Sequence, residues 1–330
     1  MSNAVQMMGR SKKRGLVSGS LICGVTLFAG LMLAGAGVGA ATCPGADPQA
    51  LVWLEKMSDS LRRVNYHGVV TLQRGDDMQV MQVSHTVVNG SSYERMTELT
   101  GQGARVVRTA HPLDCIHPGH KLLRASSDLH AGRCGIAEQY RFSVGDGERV
   151  AGRQAVRIRI APRDMYRFGY VLELDRETGL LLKAETVGRG EERLEKFQFA
   201  DLSFTASGQD SADVNLVHEA LHPHPEEPQA GNGVGRSWRV GWVPKGFITT
   251  DGARGDAGRK TFTDGLAVFS VFLEELGREI RPGEGVVRNG STTSYTRGLQ
   301  LTTQPVLVTV IGEVPVNTAR MVADSIAWVP

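Results

Sequence analysis

The sequence feature that most constrains the fold is the alternation of side chains between Asp164 and Lys183. Apolar residues occupy every second position at the start of this stretch, and arginine, glycine, valine and glutamate fill the positions between them. A period of two is typical of a β-strand with one face on an apolar interior and the other nearer water. The run ends at Asp175–Gly179, where aspartate and glycine favour a turn, and leucines then resume. The pattern predicts a β-hairpin whose apolar face carries Tyr166, Phe168, Tyr170, Leu172 and Leu174.

This row of three aromatic rings and two leucines has two interpretations. An apolar stripe on a strand usually belongs to the core of a sandwich or barrel, and periodicity alone favours that interpretation. A row this wide also fits a curved sheet whose concave side holds an apolar ligand. On the second interpretation, the five residues of the row are the predicted wall of an apolar pocket.

The N-terminal segment has the pattern of a secretory signal. A basic cluster, RSKKR, is followed by an apolar run whose second half is glycine and alanine, with a cleavage site predicted near Ala40 or Ala41. Residues 1–41 are therefore predicted to be a signal peptide that is removed on export. The leader carries four of the 37 basic residues, so 33 remain against 35 acidic residues. A nearly neutral mature chain offers no electrostatic case for binding nucleic acid.

Export places the remaining cysteines in an oxidising compartment. Cys115 and Cys134 are predicted to form a disulfide, which would close a loop of about twenty residues and stabilise the fold by roughly 3 kcal/mol. Cys43 is left over, as a free thiol or in an intermolecular bridge. Its context, with Ala40 three positions before it, disfavours lipidation.

Two folded units are predicted, with a linker between them. Asp47 and Pro48 are typical of a helix start, and apolar residues at helical spacing predict an amphipathic helix over residues 48–63. Short alternating runs separated by glycine, asparagine and aspartate then predict one antiparallel sheet domain over 42–206. Residues 207–236 contain three prolines and GNGVG and are predicted to be a linker. Residues 237–330 are predicted to form a smaller α+β unit that ends in a helix, VNTARMVADSIAW.

One motif would indicate a zinc protease. His218-Glu219-Ala220-Leu221-His222 matches HExxH, in which two histidines on one helical face bind zinc and the glutamate is the general base. Pro223 follows directly and disfavours helix at the residue before it, and the motif falls in the predicted linker. A solvated helix end is the favoured interpretation.

Other groups of side chains give only weak indications of a metal, catalytic or anion-binding site. Histidines near Cys115 and Cys134 could bind zinc, but they lack CxxC spacing, and an oxidising compartment favours a disulfide. No nucleophile elbow or phosphate loop is present. Arginines recur before and within the hairpin and are interpreted as the solvated face of a sheet, the alternative being an anion-binding stripe. They are Arg153, Arg157, Arg159, Arg163 and Arg167.

Sequence blocks in both predicted units match one known family. The blocks are WLEKM with NYHGVV (53–70), MQVMQVSH (78–85), RDMYRFGYVLELDRETGLLLK (163–183), LEKFQFADL (194–202), WVPKGF (242–247), FTDGLAVFSVFLEE (262–275) and VTVIGEVP (308–315). In these blocks the chain resembles the RseB/MucB family of periplasmic regulators of extracytoplasmic stress sigma factors. The resemblance covers nearly the whole mature chain in order and is weakest over 110–136.

The resemblance implies an α+β fold, with a large LolA-like unclosed antiparallel β-barrel domain and a smaller α+β C-terminal domain. It implies a periplasmic protein with no catalytic residues, cofactor or metal. The implied partner is the periplasmic segment of a membrane-spanning anti-sigma factor, which the protein would shield from the site-1 protease until lipopolysaccharide or a related lipid displaces it. The alternative function is a lipid or lipoprotein carrier of the LolA type. A homodimer is left open.

Overall fold

The structure, a computed structural model, describes most of the chain from residue 43 onward. The described residues are 43, 45–88, 91–100, 105–109, 134–204, 237–250, 258–277, 283–301 and 304–329. We call residues 43–204 the large lobe and residues 237–329 the small lobe. Both lobes belong to the same compact unit of the chain. The predicted signal peptide, Cys115 and the HExxH motif lie outside the described residues.

The large lobe begins with the predicted helix, α1, at Pro48–Arg63. The Asp47 side chain accepts a hydrogen bond from the Gln49 N–H at 2.9 Å and so satisfies one of the free amides at the helix start. The helix ends where Val64 takes an extended conformation. Its buried face, which includes Leu54 and Met57, packs on the sheet that follows. The predicted bounds of this helix are confirmed.

Nine strands in the described part of the large lobe form one antiparallel sheet. They are β1 (Tyr66–Arg74), β2 (Asp77–Val88), β3 (Ser91–Glu98), β4 (Arg105–Thr109), β5 (Tyr140–Val150), β6 (Arg153–Pro162), β7 (Gly169–Asp175), β8 (Leu181–Val187) and β9 (Arg193–Phe204). Their order is β4-β3-β2-β1-β9-β8-β7-β6-β5, with short 3₁₀ helices at Gly135–Glu138 and Arg189–Glu191. β4 and β5 do not pair with each other, so the described sheet is unclosed.

The predicted hairpin is present, but its first strand is shorter than predicted. β7 and β8 pair as expected, and the turn between them has Gly179 at φ +81° with the Thr178 N–H donating to Asp175 Oδ2 at 2.8 Å. β7 begins at Gly169, however, and not at Asp164. The Asp164 carboxylate accepts hydrogen bonds from the Tyr166 N–H and Arg167 Nε, and such local side-chain bonds compete with strand pairing. The prediction of a strand over residues 164–168 was therefore wrong.

A disulfide ties the start of the large lobe to the segment before β5. It joins Cys43 and Cys134, 91 residues apart. The predicted pairing of Cys134 with Cys115 was therefore wrong, and Cys115 lies outside the described residues. Cys43 is buried in the core beneath α1, together with Ile136 from the 3₁₀ helix. The prediction paired cysteines that are close in sequence, whereas the fold brings the start of α1 against this 3₁₀ helix.

The small lobe has its own sheet and core. Its strands are β10 (Trp238–Val240), β11 (Ile248–Thr249), β12 (Arg259–Thr263), β13 (Val268–Glu275), β14 (Glu284–Asn289), β15 (Thr292–Leu301), β16 (Gln304–Gly312) and β17 (Ile326–Trp328). The described strands form a six-stranded sheet, β11-β12-β13-β16-β15-β14, and a pair, β10-β17. The helix α2 (Val316–Asp324) packs on the larger sheet and buries Ala319, Val322 and Ala323 in its core.

The terminal helix of the small lobe is shorter than predicted. It ends at Asp324, and Ile326–Trp328 forms β17 against β10. The Ser325 hydroxyl and N–H both donate to the Val322 carbonyl and close the last turn. The fold class predicted from the sequence is confirmed in its architecture: a large unclosed antiparallel sheet and a smaller α+β unit. No helix in the described residues is long and apolar enough to cross a membrane.

Candidate functional site

The two lobes meet at a buried ion pair. Arg167 of the large lobe donates from Nη1 to Asp264 Oδ2 of the small lobe at 2.6 Å, and both side chains are completely buried. Arg167 also donates to the Asp164 carboxylate and, from Nη2, to the Lys245 carbonyl at 2.6 Å. Burial disfavours the charged guanidinium, but the hydrogen bond with Asp164 and the charge of Asp264 outweigh this effect and raise the pKa of Arg167.

Asp264 uses both carboxylate oxygens. Oδ1 accepts the N–H groups of Leu266 and Ala267 at 2.9 Å each and so holds the turn before β13. Oδ2 accepts the Tyr140 hydroxyl at 2.9 Å in addition to Arg167. Burial is the main cause that raises the pKa of Tyr140 well above its ordinary value. One carboxylate thus joins a turn of the small lobe to two side chains of the large lobe.

Further contacts around this ion pair align the two lobes. The Tyr166 ring packs edge to face on Trp242 with ring centres 5.1 Å apart, and its carbonyl accepts the Thr318 hydroxyl at 2.9 Å. Leu266 of the small lobe is buried in the core of the large lobe. Apolar, aromatic and ionic contacts therefore all cross the junction near the segment that precedes β7.

A second polar contact between the lobes lies where β1 ends and β9 begins. Arg74 Nε donates to Glu195 Oε1 at 2.9 Å within the large lobe, and the Ser291 N–H of the small lobe donates to the same oxygen at 3.2 Å. Gly290 precedes Ser291 at φ +60°, and a Cβ there would lie 2.5 Å from Arg74 Cγ. A glycine is needed for this turn to approach the Arg74–Glu195 pair so closely.

The structure divides the predicted aromatic row between two environments. Leu172 and Leu174 pack beneath α1 in the core of the large lobe, with Tyr170 partly buried against them. Phe168 is buried, and Tyr166 faces the small lobe. The Tyr170 hydroxyl is buried and has no hydrogen-bond partner in the described structure. That these residues line a ligand pocket stays a prediction.

The predicted arginine stripe is solvated only in part. Arg153 and Arg157 lie on β6 and pair with Asp175 and Glu173, two carboxylates of β7 that are almost completely buried. Arg159 pairs with Glu191. Arg167 was predicted on the solvated face, and this was wrong because the bend at Asp164 turns it into the junction between the lobes. These carboxylates neutralise the guanidinium groups that the anion-binding alternative requires.

A second apolar surface lies on the strands β1, β2, β3 and β9. Tyr66 stacks on His85, Val70 and Val83 are buried, and Phe199 packs edge to face on Tyr66. Several neighbours on this surface are only half-buried by described residues: Met81, Met96, Phe197, Leu202 and Phe204. We call this set the methionine–phenylalanine face. Its alternating runs are visible in the sequence but were interpreted only as strands.

The described residues contain no group of three or more histidine, cysteine, aspartate and glutamate side chains that could hold a metal ion. The described structure is that of a two-lobed protein, with a buried ion pair between the lobes and a half-buried apolar face on the larger sheet. The chain belongs to the MucB/RseB family. The model of the MucB/RseB N-terminal domain matches residues 49–221, and that of the C-terminal domain matches residues 234–327.

Relatives match across both lobes. The sigma factor AlgU regulatory protein MucB of Pseudomonas aeruginosa is 31% identical over 287 residues, which is 83% of this chain and 89% of the relative. The sigma-E factor regulatory protein RseB of Haemophilus influenzae is 24% identical and covers 83% of this chain and 90% of its own length. The crystal structure of MucB in complex with MucA(peri) has a TM-score of 0.65 and 31% identity and covers 84% of this chain and 98% of that one.

Proposed function

We propose that this protein is a non-enzymatic periplasmic regulator of an extracytoplasmic stress sigma factor. It binds the periplasmic segment of a membrane-spanning anti-sigma factor and shields that segment from the site-1 protease. The observation that carries the proposal is the match over both lobes to MucB in its complex with MucA(peri), at 31% identity. The relatives named as sigma factor regulatory proteins support the same role.

The mature chain should co-elute with the periplasmic segment of the anti-sigma factor encoded in its own genome and slow cleavage of that segment by the site-1 protease. A matched control is Val52→Ser, because Val52 is 64% exposed on the outer face of α1 and its replacement should change neither result. As a second control, the protease should cleave an unrelated substrate at the same rate in the presence and in the absence of this protein. Absence of both co-elution and protection would reject the proposal.

Regulation by lipid is the second part of the proposal. An acyl chain of lipopolysaccharide or a related lipid would bind on the methionine–phenylalanine face, which the described residues leave half-covered. Apolar side chains with residual exposure on a curved sheet are the surface that an acyl chain prefers. The same face would serve the alternative function, a LolA-type carrier, which predicts transfer of lipid between membranes and no affinity for the anti-sigma segment.

Met96→Glu should weaken binding of a fluorescent acyl probe by at least about tenfold, because a carboxylate on this face opposes burial of an alkyl chain. The control is Thr97→Glu, since neighbouring residues of a strand point to opposite faces, and this variant should bind the probe like the wild type. Displacement of the anti-sigma segment by lipid should fall in parallel with probe binding. Equal binding by both variants would place the lipid elsewhere.

A further inference from the structure

The second contact between the lobes contains two carboxylates and one arginine. Glu195, near the start of β9, accepts from Arg74 Nε at 2.9 Å and from the Ser291 N–H of the small lobe at 3.2 Å. The other carboxylate is Glu313, which directly follows β16. Because Thr293 pairs with Gly312 across β15 and β16, Glu313 lies beside the turn that contains Ser291. The turn therefore brings Glu313 close to Glu195.

Glu313 differs from the other charged groups at this contact because its carboxylate has no hydrogen-bond or ion-pair partner among the described residues; its electrostatic neighbours are Glu195, Arg74 and the Tyr170 hydroxyl. Its backbone N–H donates to the Val268 carbonyl at 2.9 Å, which fixes its position. The side chain is half-buried, and Arg74, the cation that faces it, is already bonded to Glu195. A carboxylate that is partly desolvated beside a second carboxylate binds a proton more readily than one in water.

We propose that Glu313 and Glu195 form a proton-dependent contact between the lobes, which holds them together more firmly in acid than at neutral pH. Burial, followed by the charge of Glu195, raises the pKa of Glu313 from 4.5 to about 6, and Arg74 opposes this rise. The groups that face Glu313 are thus Glu195 on β9 and Arg74 on β1, with the buried hydroxyl of Tyr170 on β7.

The direction of the pH dependence follows from which state of the protein, with lobes joined or lobes apart, binds the proton more tightly. Glu195 and Arg74, whose charges act on Glu313, both belong to the large lobe, so separating the lobes would remove their influence and return the pKa of Glu313 toward its ordinary value. The contact is therefore favoured at low pH, and the advantage is lost as the pH rises from 4.5 through about 6. A difference of about 1.5 pKa units corresponds to a change of up to about 30-fold in the equilibrium between joined and separated lobes.

Hydrogen exchange of the Ser291 amide in the full mature chain tests this inference, because that N–H bonds to Glu195 only while the lobes are joined. After correction for the intrinsic rate, its protection should fall by up to about 30-fold as the pH rises through this range. Glu313→Gln mimics the protonated acid and should keep high protection at every pH. Glu192→Gln removes an exposed ion pair with Arg288 at the same junction and should retain the wild-type pH dependence.

Direct titration of the Glu313 carboxyl by carbon NMR in the unmodified protein gives a second result that needs no variant. A midpoint near 6 supports the inference, and a midpoint at or below 4.5 overturns it. Protection of the Ser291 amide that does not change with pH, or an unchanged pH dependence in Glu313→Gln, also overturns it. The inference does not depend on the anti-sigma segment, since both measurements use the protein alone.

Discussion

Replacing Asp264 by asparagine should lower the free energy of unfolding by about 3–5 kcal/mol, because it removes the counter-charge of a buried guanidinium. Asparagine keeps one oxygen that can accept the N–H groups of Leu266 and Ala267, so the turn before β13 survives. Its NH₂ group would instead face Arg167, donor against donor, at the position of Oδ2. Asp164 still bonds to Arg167 and should keep the loss near the lower end of that range. Equilibrium unfolding in urea measures it.

Two further variants test whether the loss in Asp264→Asn comes from the buried ion pair itself. Glu192→Gln breaks an exposed ion pair that also crosses between the lobes and should change stability by less than about 0.5 kcal/mol. Arg167→Met combined with Asp264→Leu removes both charges, and its loss should be smaller than the sum of the two single losses. A loss below about 1 kcal/mol for Asp264→Asn would mean that this pair does not fasten the lobes.

The position of Asp264 explains why the two lobes act as one unit. The carboxylate that holds a local turn in the small lobe is also the partner of Arg167, 97 residues earlier in the chain. A substitution that disturbs the turn before β13 should therefore also disturb the segment before β7, and a substitution in that segment should disturb the turn. If the anti-sigma segment contacts both lobes, the Asp264→Asn variant should also bind it more weakly, because separated lobes must first be brought together.

The features that were predictable from the sequence are those with a local cause. The start of α1 follows from Asp47 and Pro48, and the hairpin of β7 and β8 follows from alternation and the turn chemistry of Asp175 and Gly179. The same alternation extends through Arg167 and Tyr166, and there it was misleading. The bend at Asp164 ends the strand pattern, and a period of two carries no information about a carboxylate in the other lobe.

The resemblance to the family added what periodicity could not. It includes the block FTDGLAVFSVFLEE, which contains Asp264, and it implies the unclosed sheet. It did not assign contacts between the lobes, since those depend on which side chains meet after both lobes have folded. The methionine–phenylalanine face was missed for a similar reason: a strand pattern shows which residues share a face, but what covers that face is decided by the tertiary structure.

The disulfide is the other feature with a large expected effect. Replacing both Cys43 and Cys134 by alanine should lower the free energy of unfolding by roughly 4–5 kcal/mol, because the bridge spans 91 residues and a long closed loop restricts the unfolded chain strongly. The loss should appear in urea unfolding of the oxidised protein. Wild-type protein with its disulfide reduced should unfold like the double variant.

Cys115→Ala is the matched control, since it removes the cysteine that sequence proximity alone favours. If Cys43 and Cys134 are bridged, this variant should unfold like the wild type, and peptide mapping without reduction should still recover the fragment that joins residues 43 and 134. The alternative pairing makes the opposite forecast. A bridge from Cys115 to Cys134 closes a much shorter loop, so Cys115→Ala would then cost roughly 3 kcal/mol and Cys43→Ala would cost almost nothing. The two pairings are therefore distinguished by which single variant, Cys43→Ala or Cys115→Ala, is the less stable.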